Sequence, residues 1–234
     1  MTKRIWELDA ARGICVLGMV IIHFIYDLSA LFGLFPMPDN PVFVIVKDWG
    51  GILFLLISGI CVTLGSHHLK RGGMVLLCGL IVTAVTVALE KTGLFAEGLA
   101  IYFGVLHCLG VCMLLWGLFR KMPTWALSVL GALMAILGLW LNHQVFDTPP
   151  VLVVLGFAYP GFFSSDYFPL LPYLGFFLLG AVLGRTVYAK KESLLPRVNG
   201  ENPVIRFFCF CGRQSLWIYL LHQPLLSALF WLIA

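Results

Sequence analysis

Runs of apolar residues long enough to cross a bilayer recur seven times along this chain, at about 10–34, 43–66, 73–90, 102–119, 124–142, 168–188 and 214–234. A helix rises about 1.5 Å per residue, so roughly 20 apolar residues traverse a hydrocarbon core about 30 Å thick. Lipid offers the backbone no hydrogen bonds, and a helix satisfies its own. The pattern predicts an all-α, polytopic membrane helix bundle of about seven transmembrane helices. Composition points the same way. Of the 234 residues 61% are hydrophobic and 11% charged, where a soluble domain carries about 25% charge. No connection is long enough to fold by itself, so residues 1–234 read as a single transmembrane domain.

Lysine and arginine orient the bundle. With the N-terminus in the cytoplasm, Lys3, Arg4, Arg12, Lys70, Arg71, Arg120, Lys121, Arg185, Lys190, Lys191, Arg197, Arg206 and Arg213 lie on or near the inner side. Only Lys47 and Lys91 lie outside. That asymmetry is the usual mark of a cytoplasmic face, and it predicts an external C-terminus. The formal charge of +4 reflects this basic inner rim. It suits anionic membrane lipids or an anionic cosubstrate and gives no reason to invoke nucleic acid.

The first run is longer than a signal-peptide core and its polar residues share one face, so it reads as a retained span. Of the seven Cys, Cys15, Cys61, Cys78, Cys108 and Cys112 fall inside the runs and are expected as free thiols. Cys209 and Cys211 lack the matching Cys/His pair that a zinc site needs. Three connections stand out. Residues 33–43 form a Pro- and Asp-rich external turn. Residues 148–172 make an external excursion whose apolar part, around 150–163, is too short to span and reads as re-entrant or interfacial. Residues 189–207 form a basic, Pro/Gly-broken cytoplasmic loop suited to a lid or linker.

Ionisable groups inside a span are costly and mark pathways or sites. The first run carries four: Asp9, Arg12, His23 and Asp27. At 100° per residue, the eleven residues from Arg12 to His23 make three turns plus about 20°, and they separate the two by about 16 Å of rise. Asp9 and Asp27 lie three and four residues beyond each end, so all four line one stripe. Asp9 and Arg12 read either as a structural pair at the helix entrance, with Arg12 snorkelling to the headgroups, or as part of a site. For His23, a carboxylate at Asp27 accepting from one ring nitrogen would leave the other as a base.

"LDAARG" followed by Arg-x10-His resembles the opening of the transmembrane acyltransferase superfamily. The blocks 23–33, 53–65, 101–110, 166–185 and 212–226 resemble, in order and nearly end to end, the bacterial branch of the heparan-alpha-glucosaminide N-acetyltransferase catalytic-domain family. The resemblance implies a membrane enzyme that takes an acyl group from a coenzyme A thioester, acetyl-CoA, on the cytoplasmic side. The acceptor it implies is an amine or hydroxyl, often on a sugar, met from the other side. It also implies a bacterial cytoplasmic (inner) membrane location. Some family members use a His in the loop after the first span, but residues 33–43 hold none. His23, His107 and His222 remain the candidates within spans.

His107 reads equally as a catalytic group or as a buttress. His222, followed by Gln223 and a helix-kinking Pro224, reads first as structural and second as a substrate contact. Three histidines at similar depth are able to converge on one polar site; a metal is not expected, because no local ligand pair exists. Asp166 and Tyr167 read as acceptor contacts or as a helix cap. Asp48 is a further acceptor candidate beside Trp49, an interfacial anchor. Among the inner arginines, whose forked donors match phosphate, Arg12, Arg213 and Arg185 are the candidates for coenzyme A, with Asp9 holding Arg12.

The predicted chemistry is acyl transfer with His23 as base or nucleophile. The runner-up is a proton-coupled transporter or flippase of a small polar or lipid-linked solute. Its intramembrane His and Asp would relay protons, but no internal repeat supports it. A catalytically silent family member is a third reading. The acceptor's identity and the pairing of two copies as a homodimer stay open at this level.

Overall fold

The computed structural model describes residues 4–31, 33–94, 98–142, 144–198 and 200–233. The described chain is helical, with eight α-helices: α1 (Trp6–Tyr26), α2 (Pro41–Leu64), α3 (His68–Lys91), α4 (Val105–Phe119), α5 (Thr124–Leu141), α6 (Leu170–Thr186), α7 (Pro203–Arg213) and α8 (Ser215–Ile233). A π-helical turn, Asp27–Leu31, continues α1, and a 3-10 turn, Pro150–Leu155, interrupts the long connection between α5 and α6.

Three helical segments are long and apolar enough to cross a membrane on their own: Trp6–Ser29, His68–Lys91 and Thr124–Leu141. Two bent pairs raise the number to five if each is one span, Pro41–Lys47 with Trp49–Leu64 at 43° and Pro203–Arg213 with Ser215–Phe230 at 81°. The remaining two predicted spans, α4 and α6, have fifteen and seventeen residues. At about 1.5 Å per residue they rise only about 22 and 25 Å, short of a full crossing. The outer faces of the long helices are apolar: Leu77, Leu80, Ile81 and Val85 on α3, and Trp125, Leu133, Ile136 and Trp140 on α5, are all exposed. Exposed apolar surface on this scale is what lipid covers.

The chain forms two compact units, one from the N-terminal residues to Ile57 together with Lys190 onward, the other from Ser58 to Ala189. In the first, α7 crosses α1 where two glycines meet. A Cβ on Gly13 would strike the Phe208 carbonyl oxygen, and one on Gly212 would strike that of Asp9. Small residues at such crossings let backbones touch, which in lipid replaces the hydrophobic effect as the source of helix association. α7 itself was not foreseen within the cytoplasmic loop. Its start is encoded in Asn202–Pro203, where the Asn side chain accepts from the Val204 N–H at 3.0 Å and Pro occupies the first helical position. Asn40–Pro41 opens α2 in the same way, with the Phe43 N–H on Asn40 Oδ1 at 2.9 Å. The rest of the loop is tied to α1, because the Glu7 carboxylate accepts from Ser193 Oγ at 2.9 Å and from the Leu194 N–H at 2.7 Å.

In the second unit α3 pairs with α4 and α5 with α6. The predicted excursion at 150–163 is the 3-10 turn, ended by Gly156 at a φ of 114°, and irregular chain stitched to residues 99–103. Ser164 Oγ donates to the Ala100 carbonyl at 3.1 Å, Ser165 Oγ to Leu99 at 3.0 Å, and the Phe168 N–H to Phe103 at 2.9 Å.

Candidate active site

The stripe on α1 meets a matching stripe on α8. Ser215 and His222 are seven residues apart, two turns less about 20°, so they share a face; Gln223 flanks them. Three contacts join the helices in the same order along both. Arg12 Nη2 donates to Ser215 Oγ at 3.1 Å. The His23 and His222 rings meet edge to face, centroids 4.9 Å apart and planes inclined by 67°. Gln223 Nε2 donates to Asp27 Oδ2 at 3.0 Å. Asp27, Ser215 and His222 are buried.

The two imidazoles share a tautomer. His23 Nδ1 lies 2.9 Å from the Met19 carbonyl oxygen and His222 Nδ1 lies 2.6 Å from that of Tyr219. A carbonyl only accepts, so each Nδ1 carries the hydrogen, and in the neutral ring each Nε2 keeps a lone pair. His222 Nε2 is buried with no hydrogen-bond partner among the described residues, and the same holds for Arg12 Nε and Gln223 Oε1. Buried polar atoms are paired in the great majority of cases. Three orphans along one seam are therefore a chemical signal.

Two expected pairings are replaced. Asp9 pairs with Arg4 at 3.6 Å, and Arg12 turns to Ser215 instead. Asp27 takes the Gln223 amide, and the Met19 carbonyl, not Asp27, fixes the His23 tautomer. The physical reason is side-chain direction. Helical side chains lean toward the N-terminus, so His23 reaches back one turn to residue 19. Arg213 is exposed in the last turn of α7.

The candidates in the second unit hold its short helices together. His107 Nδ1 accepts from the Gly104 N–H at 3.2 Å, and its Nε2 sits 3.1 Å from Thr83 Oγ1, which itself donates to Ile101 O at 2.7 Å. Both ring nitrogens are committed, so His107 caps α4 and has no lone pair left to serve as a base. Asp166 Oδ2 accepts from the Val105 N–H at 3.0 Å. It is a cap, as one reading had it, but of α4; α6 begins after Pro169. Tyr167 donates to the Val153 carbonyl at 2.7 Å, and burial pushes its phenol up to about 12. Arg185 donates to the Met122 and Arg120 carbonyls at 2.7 and 2.6 Å and lies 5.0 Å over the Trp116 ring. It thus neutralises the C-terminus of α4. A cavity of about 290 Å³ opens beside Tyr167, lined also by Asn142, Gln144, Ser164 and Tyr173.

The family model for heparan-alpha-glucosaminide N-acetyltransferase, catalytic, matches residues 4–224. The chain belongs to this family. Comparison with curated proteins and with solved structures gives no match. The family match takes in every seam residue from Asp9 to Gln223. Membership of an acetyltransferase family and the long apolar helices together mark an integral membrane protein and a transferase.

Within that family's frame, Ser215 and Gln223 are the seam residues that the sequence did not single out for a role. The seven-residue interval from Ser215 to His222 was the available signal, a polar face on an otherwise apolar helix. The Asp48 side chain and all of His143 lie outside the described residues. Among the described residues no three His, Cys, Asp or Glu side chains gather in a metal-holding group.

Proposed function

We propose that this chain is a membrane-embedded acetyltransferase of the bacterial cytoplasmic membrane. It moves an acetyl group from cytoplasmic acetyl-CoA to an amine or hydroxyl, on a sugar, reached from the opposite side. Residues 1–234 act as a single transmembrane domain with seven crossings and a cytoplasmic N-terminus. The basic inner rim supports that orientation, and the burial of α4 along most of its length supports counting short helices as crossings, since a helix surrounded by protein need not match the lipid thickness.

The observation that carries the reading is an imidazole whose Nδ1 is tied to the Met19 carbonyl and whose Nε2 has no hydrogen bond among the described residues, on an apolar helix of a family defined by acetyl transfer. Arg12, anchored on Ser215 with Nε still to be satisfied, binds a carbonyl or phosphate oxygen of the donor. His23 Nε2 takes the proton of the acceptor as the acceptor attacks the thioester carbonyl, and returns it to the departing sulfur. Asp27, when ionised, steadies the intervening imidazolium across one helical turn. Arg213 and the basic loop attract the anionic nucleotide end.

The test uses purified protein in lipid nanodiscs with radiolabelled acetyl-CoA and a panel of amino sugars, neutral glycans and simple amines. Label is expected on at least one acceptor, with release of coenzyme A. No labelled product and no thiol release with any of them would falsify the reading.

A further inference from the structure

The orphaned atoms of the α1/α8 seam sort by chemistry along its length. Arg12 Nε, at one end, is a donor with no acceptor among the described residues. His222 Nε2 and Gln223 Oε1, at the other, are acceptors with no donor among them. His222 is held by its Nδ1–H on the Tyr219 carbonyl and by its edge-to-face contact with the His23 ring, and Gln223 is held by its amide on Asp27. Neither is free to rotate its orphan toward water without breaking a bond already made. His222 is 9% exposed, so a lone pair is fixed in a buried position, beside the imidazole that the acyl-transfer reading makes the base. Burying such an acceptor without a partner costs on the order of 1–3 kcal/mol. A ligand that fills the site must bring N–H or O–H groups.

From this we infer that His222 and Gln223 form the subsite for the reacting group of the acceptor, and that His222 is a second catalytic imidazole touching it. The inference rests on the acyl-transfer reading and adds a division of labour to it. His222 Nε2 and Gln223 Oε1 receive hydrogen bonds from the acceptor's N–H or O–H groups and point its lone pair at the thioester carbon. His23 Nε2 removes one proton. The new bond forms between the acceptor's nitrogen or oxygen and the carbonyl carbon. The carbon–sulfur bond breaks with its electron pair leaving on sulfur, and the proton passes from His23 to that sulfur to give the free thiol. A neutral primary amine gives one N–H to His23 and keeps a second for this pair, whereas the single O–H of a hydroxyl goes to His23, so amine acceptors depend on the pair more steeply.

The experiment compares His222→Phe, which keeps the ring and removes the acceptor, with His222→Gln, which keeps an acceptor oxygen near the place of Nε2. Glucosamine and glucose serve as the amine and hydroxyl probes, with monodispersity and thermal midpoint checking the fold. His222→Phe is expected to lose about a hundredfold in kcat/KM for the acceptor, the usual scale for a misplaced reactant, while KM for acetyl-CoA holds. His222→Gln is expected to recover most of that loss, and the Phe penalty is expected to be larger with glucosamine. Wild-type kcat/KM in His222→Phe overturns the inference, and so does an equal loss in both variants or a matching rise in KM for acetyl-CoA; each leaves the acyl-transfer reading standing. A wild-type protein that transfers nothing removes that reading and this subsite together.

Discussion

His23 and His107 are both helical histidines on apolar helices, yet their hydrogen-bond surroundings differ in kind. Around His107 the hydrogen-bond circuit closes: Gly104 N–H gives to Nδ1, Nε2–H gives to Thr83, and Thr83 gives to Ile101. Around His23 it stays open. Its Nδ1–H is spent on a backbone carbonyl, and its neighbour is a second imidazole whose Nε2 is buried with no partner among the described residues. Buried histidine is not in itself a catalytic sign; what matters is whether the nitrogens have been used up.

That contrast breaks most visibly in activity. His23→Ala should lower acetyl transfer by about a thousandfold, within the range for loss of a general base, with the thermal midpoint nearly unchanged. Full turnover in that variant would end its assignment. His107→Ala should do the reverse. It strands the Gly104 N–H and Thr83, lowering stability by about 1–3 kcal/mol, while the folded fraction keeps its kcat. Thermal unfolding read beside turnover separates the two. Arg12→Ala should raise KM for acetyl-CoA about tenfold, the lower range for a charged hydrogen bond, and leave kcat nearly alone; a kcat effect with unchanged KM would move Arg12 from binding to positioning.

The smallest effect falls at Tyr167. Removing its hydroxyl in Tyr167→Phe should cost about 1 kcal/mol with no change in kcat. Because burial pushes the folded phenol up to about 12 from its ordinary value of 10.0, its contribution to stability is whole below pH 10 and fades as pH rises toward 12. Alkaline unfolding, followed by circular dichroism, should therefore begin at higher pH in Tyr167→Phe than in the wild type.

The sequence made the α1 stripe legible because helical phase follows from spacing alone: Arg12, His23 and Asp27 do face one neighbour. It did not make the partners legible. The expected pairs, Asp9 with Arg12 and Asp27 with His23, were neighbours along the helix, while the partners that prevail for Arg12 and Asp27 come from α8. Local proximity loses because a facing helix offers better-directed groups. Asp166, Arg185 and His107 stood out in the sequence for one shared reason. Charged and titratable residues near apolar runs look like sites, and here they satisfy the open backbone groups at the ends of α4. Apolar helices were equally legible, three of them long enough to cross alone and up to five with the bent pairs joined, but the 81° turn between α7 and α8 is a tertiary fact with only Asn202–Pro203 to announce the first of the two helices.

Two of the three contacts that fasten α1 to α8 are Arg12 on Ser215 and His23 on His222, at separated points along the helix. Removing a single residue from the stretch between them would swing one attachment about 100° around the axis relative to the other and draw it about 1.5 Å closer. Side chains such as Leu17 and Val20 in that stretch are free to drift among apolar types; its length is not. Alignments of relatives that perform the same reaction should therefore show substitutions between these two anchors and never a gap.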